Sequence, residues 1–382
     1  MSIKNGGRVS LSIGAAFALA LFVPTANAQR WDIGISGTGA SADELDLELP
    51  GYPGGNIRSG QEGWVRMSYV IAPDGSATEP LIIDSSGGQG FEEEARKVTG
   101  KWHFDPLESL SERPNNLVNI RSERRRGRDL ATSNFIRRYR RIVTQLFNEE
   151  NEDARRLVDS AYELGGWNLY ESTMLWLMLG RVEGVEGNSA GKLECYRRAR
   201  GIAETIKLKK TERVDLLEKI FELEDEFGQY AEAMRTYAEL KRVYGESTMN
   251  EQIESRSGEI RTRIDGTEAI TAQATVYNPC DCDEGRPLWY YKPARRTFSF
   301  ANLSGNVESF EARCESQRIQ GPVEAGPKWT LAPEWGSCRV FVFGDDGATF
   351  EFVEHPAGAE DEAPTAVAED DVLDRRSRGQ RS

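Results

Sequence analysis

The clearest pattern in the chain is an alternation of apolar and polar residues between Val65 and Ile71. A period of two predicts a β-strand with one buried face and one polar face that carries Arg66 and Ser68. Asp74 and Gly75 follow Pro73 and are typical of a tight turn. The apolar residues Leu81–Ile83 then predict a returning strand, so this stretch is expected to be a hairpin. The apolar positions of the first strand are Val65, Met67, Tyr69 and Ile71.

A short amphipathic helix is expected after the hairpin, because apolar residues recur there at helical spacing. These residues are Phe91, Ala95, Val98 and Trp102. Pro80 has no N–H group, which predicts that its part of the second strand lies at a sheet edge or a bulge. The segment Leu117–Ile120 is a candidate third strand.

Together these elements resemble the TonB carboxy-terminal domain. The resemblance covers residues 49–108, and the whole domain is expected at residues 49–125. The resemblance implies a small ββαβ domain that binds an extended segment of a protein partner, such as an outer-membrane receptor, along a sheet edge. A fold kept only for packing or dimerisation is the alternative, since a fold does not determine its function. The matching positions are Tyr52, Pro53, Gly63, Trp64, Val65, Asp74, Gly75, Asp84, Ser85, Ser86, Phe91, Ala95, Trp102, Phe104 and Pro106.

Residues 130–266 change to the period of helices. Asn168 with Glu171 three residues later forms a capping-box pattern. Trp176, Leu179 and Gly180 resemble the opening of a tetratricopeptide repeat, and a second unit is similar around Gly228. This resemblance implies a stack of helix pairs with a concave partner-binding surface, and an ordinary helical spacer is the alternative.

Short strands separated by Gly, Pro and Asp predict a small β sandwich or barrel at 270–357. Four cysteines fall in this region, and sequence alone allows three pairings. We favour a disulfide between Cys314 and Cys338, with Cys280 and Cys282 paired locally or reduced. A metal site at Cys280 and Cys282 lacks a second ligand pair at zinc spacing. The aromatic residues of this region line either a core or a ligand groove: they are Trp289, Tyr290, Tyr291, Trp329 and Trp335.

The two ends of the chain have the composition of processed or unstructured segments. Residues 1–28 combine a basic start, an apolar stretch and an Ala-x-Ala site, which predicts a secretory signal cleaved between Ala28 and Gln29. Residues 29–48 are expected to be a linker, and residues 358–382 a disordered tail. The chain is therefore expected in the bacterial periplasm, or anchored in the inner membrane if residues 1–28 are retained.

The formal charge of −14 argues against general nucleic-acid binding, which rests on basic side chains. Gly187–Gly191 fits the G-x-S-x-G pattern of serine hydrolases, but it lies between predicted helices and lacks the required strand. We assign no catalytic, cofactor-binding or metal residue. The sequence thus predicts a multidomain α+β periplasmic adaptor linked to TonB-dependent outer-membrane transport. The alternatives are a membrane-anchored energy transducer of TonB type and an enzyme of unknown type in the carboxy-terminal region.

Overall fold

The mixed α+β class expected from the sequence is found in a computed structural model of the chain. Three modules follow one another: an amino-terminal module of β1–β4 with α1, a helical module of α2–α8, and a carboxy-terminal module of β5–β12. The structure describes residues 29–36, 47–51, 62–86, 90–107, 112–124, 131–203, 208–245, 249–278 and 286–356.

The amino-terminal module is a four-stranded antiparallel sheet in the order β1-β4-β2-β3, with α1 packed on one face. Alternate residues of β2, including Val65 and Met67, join Phe91 and Ala95 of α1 in one core. Its elements are β1 (Gln29–Ser36), β2 (Gly63–Ile71), β3 (Ala77–Ser85), α1 (Phe91–Thr99) and β4 (Arg113–Arg124).

Three features of this module differ from the sequence expectations. Residues 29–36 lie inside the expected linker but form strand β1, and their apolar residues at positions 31, 33 and 35 do alternate. Strand β2 is buried on both faces rather than one, because the other two modules cover the face that carries Ser68. Trp102 lies beyond the end of α1, although its side chain is buried in the same core.

The helical module packs each helix against the one before it. Gly187 and Gly228 adopt positive φ values of 82° and 66° in the turns before α5 and α7. In α3 the buried residues are Ala154, Val158 and Ala161, whereas Leu164 at the end of the helix is exposed. The helices are α2 (Ser133–Phe147), α3 (Asn151–Leu164), α4 (Leu169–Val185), α5 (Ser189–Ala203), α6 (Lys210–Glu226), α7 (Tyr230–Tyr244) and α8 (Glu251–Asp265).

The carboxy-terminal module is a sandwich of two four-stranded antiparallel sheets, β10-β7-β12-β5 and β6-β11-β8-β9. Trp289 and Tyr291 are buried in its aromatic core, with Trp329 and Trp335 packed against it, which agrees with the core alternative for these residues. Strand β9 is not among the strands that the sequence predicts. The strands are β5 (Ile270–Thr275), β6 (Leu288–Tyr291), β7 (Thr297–Ser304), β8 (Val307–Arg313), β9 (Arg318–Pro322), β10 (Lys328–Thr330), β11 (Arg339–Gly344) and β12 (Thr349–His355).

Candidate functional site

Asp74 and Gly75 build the turn between β2 and β3. The Asp74 carboxylate accepts hydrogen bonds from the Ser76 backbone N–H at 2.9 Å and from the Ser76 hydroxyl at 2.7 Å. These bonds hold the pKa of Asp74 below its usual value. Gly75 has a φ of 90°, and a Cβ there would lie 2.0 Å from the Phe104 carbonyl oxygen. The turn therefore requires glycine both for its conformation and for this close approach.

The segment after α1 closes the module against this turn. The Phe104 N–H donates to the Gly75 carbonyl at 2.8 Å, and the Phe104 ring stacks on Tyr69 with 5.8 Å between ring centroids. The indole N–H of Trp102 donates to the Glu48 carbonyl at 2.9 Å. Pro106 continues the same segment. The N–H of the next residue, Leu107, donates to the Pro73 carbonyl at 3.0 Å.

The remaining described motif residues fix the start of β2 and the end of β3. A Cβ on Gly63 would meet the Phe91 ring at 2.5 Å, so only glycine allows α1 to lie this close. Val65 is buried in the core under α1. The Ser85 hydroxyl donates to Glu92 of α1 at 2.7 Å, and the Ser86 N–H donates to the Trp64 carbonyl at 3.0 Å.

These contacts are structural, since the motif residues hold the turn, the helix and the closing segment together. Tyr52 and Pro53 lie outside the described residues. An extended segment that added to this sheet would pair with the backbone at one of its edges, and the two outermost strands are β1 and β3.

The β4 side of the sheet is occupied by the chain's own β1. The two strands pair antiparallel in an unbroken register from Gln29 opposite Arg124 to Ser36 opposite Leu117. Ile33 lies opposite Ile120, and both side chains are buried in the core under α1. An eight-residue extended segment is thus already added to the β4 edge.

The β3 edge is distorted and held by the carboxy-terminal module. The register with β2 shifts between Ser68 and Val70, opposite Glu79 and Pro80, in agreement with the edge or bulge expected at Pro80. Arg318 donates to the Glu79 carboxylate at 2.6 Å. A cavity of about 560 Å³ lies beside this edge, lined by Glu79–Leu81 and by residues of β8, β9 and β11.

The sheet face opposite α1 is covered by the other two modules. Trp64 packs among helical-module residues such as Trp176 and Leu193. Ile83 and Leu117 pack with Phe341 and Phe343 of the carboxy-terminal module. This face is therefore closed to a partner, and the sheet edges remain as the places where a segment can add.

Arg198 of α5 joins all three modules. Its guanidinium lies 3.4 Å from the Asp84 carboxylate of β3 and 3.2 Å from Glu194. It also donates to the Asn278 carbonyl at 2.9 Å and lies 4.8 Å from the centroid of the Trp176 ring. Burial and the nearby Glu194 raise the pKa of Asp84 to about 7, although Arg198 and Arg66 act in the opposite direction.

The cysteines are structural where they are described. Cys314 and Cys338 form a disulfide next to β8 and β11, which is the pair favoured from the sequence. Cys195 is a buried free thiol, and burial raises its pKa to about 12. Cys280, Cys282 and Ala28 lie outside the described residues, whereas Gln29 begins β1.

Within the described ranges, no group of three His, Cys, Asp or Glu side chains is placed to hold a metal ion. No helix in that part of the chain is long and apolar enough to cross a membrane.

The family model described as Gram-negative bacterial TonB protein C-terminal matches residues 48–117. The match confirms the TonB carboxy-terminal segment expected at 49–108 and extends it into β4. The likeness of the helical module to tetratricopeptide repeats stays a prediction. No curated protein matches the chain.

Sequence reasoning identified the residues that build this module but not the strand that covers its edge. The available signal was the alternation of Trp31, Ile33 and Ile35 with less apolar residues. The Gly and acidic residues that directly follow this alternation favour a linker instead.

Proposed function

We propose that this chain is a non-enzymatic periplasmic adaptor in a TonB-dependent process, and that it receives an extended segment of a protein partner on the β4 edge. The observation that carries the proposal is the pairing of β1 with β4. A receptor segment would add as a strand along this edge. Because β1 already pairs there, it holds the position that a partner strand would take.

The chemistry of the edge suits exchange of one strand for another. Strand addition takes its affinity from backbone hydrogen bonds, which any extended segment can supply, and its selectivity from alternate side chains. Among the described side chains of β1, Ile33 is the one that enters the core. A competing segment therefore needs a β-branched or similar apolar residue at the position opposite Ile120.

The β3 edge is less suited to receive a partner strand. Pro80 removes one backbone donor from β3, and the ion pair between Arg318 and Glu79 holds this edge to the carboxy-terminal module. A partner at β3 would have to break that ion pair, whereas a partner at β4 replaces one set of backbone hydrogen bonds by another.

The cellular location belongs to the same proposal. Cleavage of a signal between Ala28 and Gln29 would leave β1 at the amino terminus of the mature chain. A terminal strand can dissociate from β4 without a rearrangement of chain on both of its sides. The disulfide between Cys314 and Cys338 suits an oxidising compartment such as the periplasm. An outer-membrane receptor segment is the partner that the family resemblance supports.

The test removes β1 and returns it as a separate peptide. A variant that lacks residues 29–36 should bind a fluorescent synthetic peptide with the sequence of Gln29–Ser36, measured by anisotropy, while the intact chain should not. A peptide with Ile33→Pro is the matched control, because proline removes a backbone donor and the buried side chain. Periplasmic segments of outer-membrane receptors should then compete with the labelled peptide.

A deletion variant that is folded by circular dichroism but does not bind the peptide would refute the proposal. Mass measurement and fractionation of the protein from its own cells test the alternative of an anchored transducer. A soluble species that begins at Gln29 supports the adaptor, and a full-length species in the inner membrane supports the transducer.

A further inference from the structure

The first helix of the helical module, α2, presents apolar side chains on its outer side. Phe135 and Ile142 pack inward, but Ile136, Val143 and Phe147 are 36%, 37% and 86% exposed. Their spacing of seven and four residues places all three on one line along the helix. This line is about 16 Å long at 1.5 Å per residue, which is about three turns.

Arginines flank this apolar line. Arg137, Arg140 and Arg141 are exposed beside it, and α2 contains no Asp or Glu. None of these three guanidinium groups forms a salt bridge with any residue that the structure describes. The chain as a whole has a formal charge of −14, so this outer side is a local basic region on an acidic protein. We call it the α2 surface: Ile136, Arg137, Arg140, Arg141, Val143 and Phe147.

The position of the α2 surface indicates the shape of its partner. Each of the helices α3–α8 packs on its predecessor, whereas α2 is the first helix of the helical module and packs on α3 and α4. Its apolar line borders the buried side of the helix, near the partly buried Tyr139 and Leu146. This is where one more helix would pack if the array continued.

We propose that the α2 surface binds an acidic amphipathic helix of a partner protein, which packs as an additional helix at the start of the module. The partner helix would have apolar residues every three or four positions over about three turns, with Asp or Glu beside them to pair with the arginines. A second copy of this chain fits poorly, since two α2 helices would bring their arginines together. The surface is separate from the β4 edge, so the two proposals fail independently.

The test places a photo-crosslinking amino acid at position 143 of the full chain in its own cells and sequences the crosslinked segment. We expect a segment with apolar residues at helical spacing and an excess of Asp and Glu. The same label at the exposed Gln252 of α8 is the control. A crosslink to another copy, to phospholipid or to a segment without acidic residues would overturn the proposal, as would a yield no higher than at Gln252.

Charge reversal tests the role of the arginines. The variant with Arg140→Glu and Arg141→Glu should lower the affinity for a synthetic peptide of the crosslinked segment by tenfold or more. Arg242→Glu with Arg261→Glu makes the same change in net charge at exposed positions of α7 and α8, and should leave the affinity unchanged. Equal losses in both variants would show a general charge effect and refute the site.

Vesicles test the lipid alternative. Phosphatidylcholine vesicles with one third phosphatidylglycerol should not sediment the protein more than phosphatidylcholine alone. Sedimentation that depends on phosphatidylglycerol and is lost in the Arg140→Glu and Arg141→Glu variant would replace the helix partner by a membrane surface.

Discussion

At the scale of single residues, the packing of the amino-terminal module on the helical module depends on a glycine. A Cβ on Gly201 of α5 would lie 2.8 Å from the Trp64 ring, which is buried and cannot easily move. We expect Gly201→Ala to lower the free energy of unfolding by about 1–3 kcal/mol through overpacking. Denaturant unfolding monitored by tryptophan fluorescence measures this change.

Gly258 provides the matched control for that substitution. It lies on the exposed side of α8, and a Cβ there would meet no atom within 4 Å. Gly258→Ala should therefore raise stability by up to about 1 kcal/mol, since alanine is the better helix former. Equal effects of the two substitutions would mean that Trp64 does not pack tightly against α5.

Asp84 should make stability depend on pH. Burial raises its pKa to about 7, so between about pH 4 and pH 7 the folded chain holds a proton that the unfolded chain has lost. Stability from this group is therefore highest at low pH and falls as the pH rises through this window. The slope should decrease in Asp84→Asn, measured by urea unfolding at several pH values. An unchanged slope would assign the dependence to another titrating group.

At the scale of elements, Glu171 caps two helices. Its carboxylate accepts from the Asn168 N–H at 3.1 Å, and the Asn168 side chain accepts in return from the Glu171 N–H at 2.8 Å. The other oxygen accepts from the Thr132 N–H at the start of α2, at 2.6 Å. The capping box is confirmed, but its second contact joins two helices and was not visible in the local sequence.

We expect Glu171→Ala to lower stability by about 2–3 kcal/mol, more than the loss of an ordinary cap, because it removes the acceptor of two partly buried N–H groups in two helices. Glu212 makes a similar bond to the Lys209 N–H at 3.1 Å in an exposed position. Glu212→Ala should cost only about 0.5 kcal/mol. The two variants are compared by thermal unfolding, and equal losses would show that the bond to Thr132 contributes nothing.

The elements also show what the sequence could predict. Local signals are strongest where the pattern and the turn chemistry agree, as in β2, the Asp74–Gly75 turn and α4 with its capping box. Strand β1 and the burial of Ser68 depend on partners far along the chain, such as β4 and Arg313, whose guanidinium lies 3.2 Å from the Ser68 hydroxyl. The sequence motif was enough to predict the TonB-like segment. It was not enough to predict that β1 covers the β4 edge, because strand pairing and register depend on contacts between residues far apart in the chain.

At the scale of the whole molecule, Arg295 attaches the carboxy-terminal module to the end of the helical module. Its guanidinium donates to the carbonyls of Arg263, Ile264 and Gly266 at 2.8, 3.1 and 2.8 Å. These carbonyls lie at the carboxyl end of α8, where a helix has unsatisfied acceptors and a partial negative charge. One side chain of the β module thus completes the last turn of a helix in the neighbouring module.

We expect Arg295→Ala to loosen this attachment without unfolding either module. The amides in the last turn of α8 should exchange with solvent about tenfold faster, as measured by hydrogen exchange and mass spectrometry of the peptides from this helix. The neighbouring Arg296 donates to the carbonyls of Ala332 and Gly336, inside the carboxy-terminal module. Arg296→Ala should leave α8 exchange unchanged, because it removes the same charge but no contact between modules. Faster exchange of α8 in both variants would show that net charge, rather than the capping of α8 by Arg295, couples the two modules.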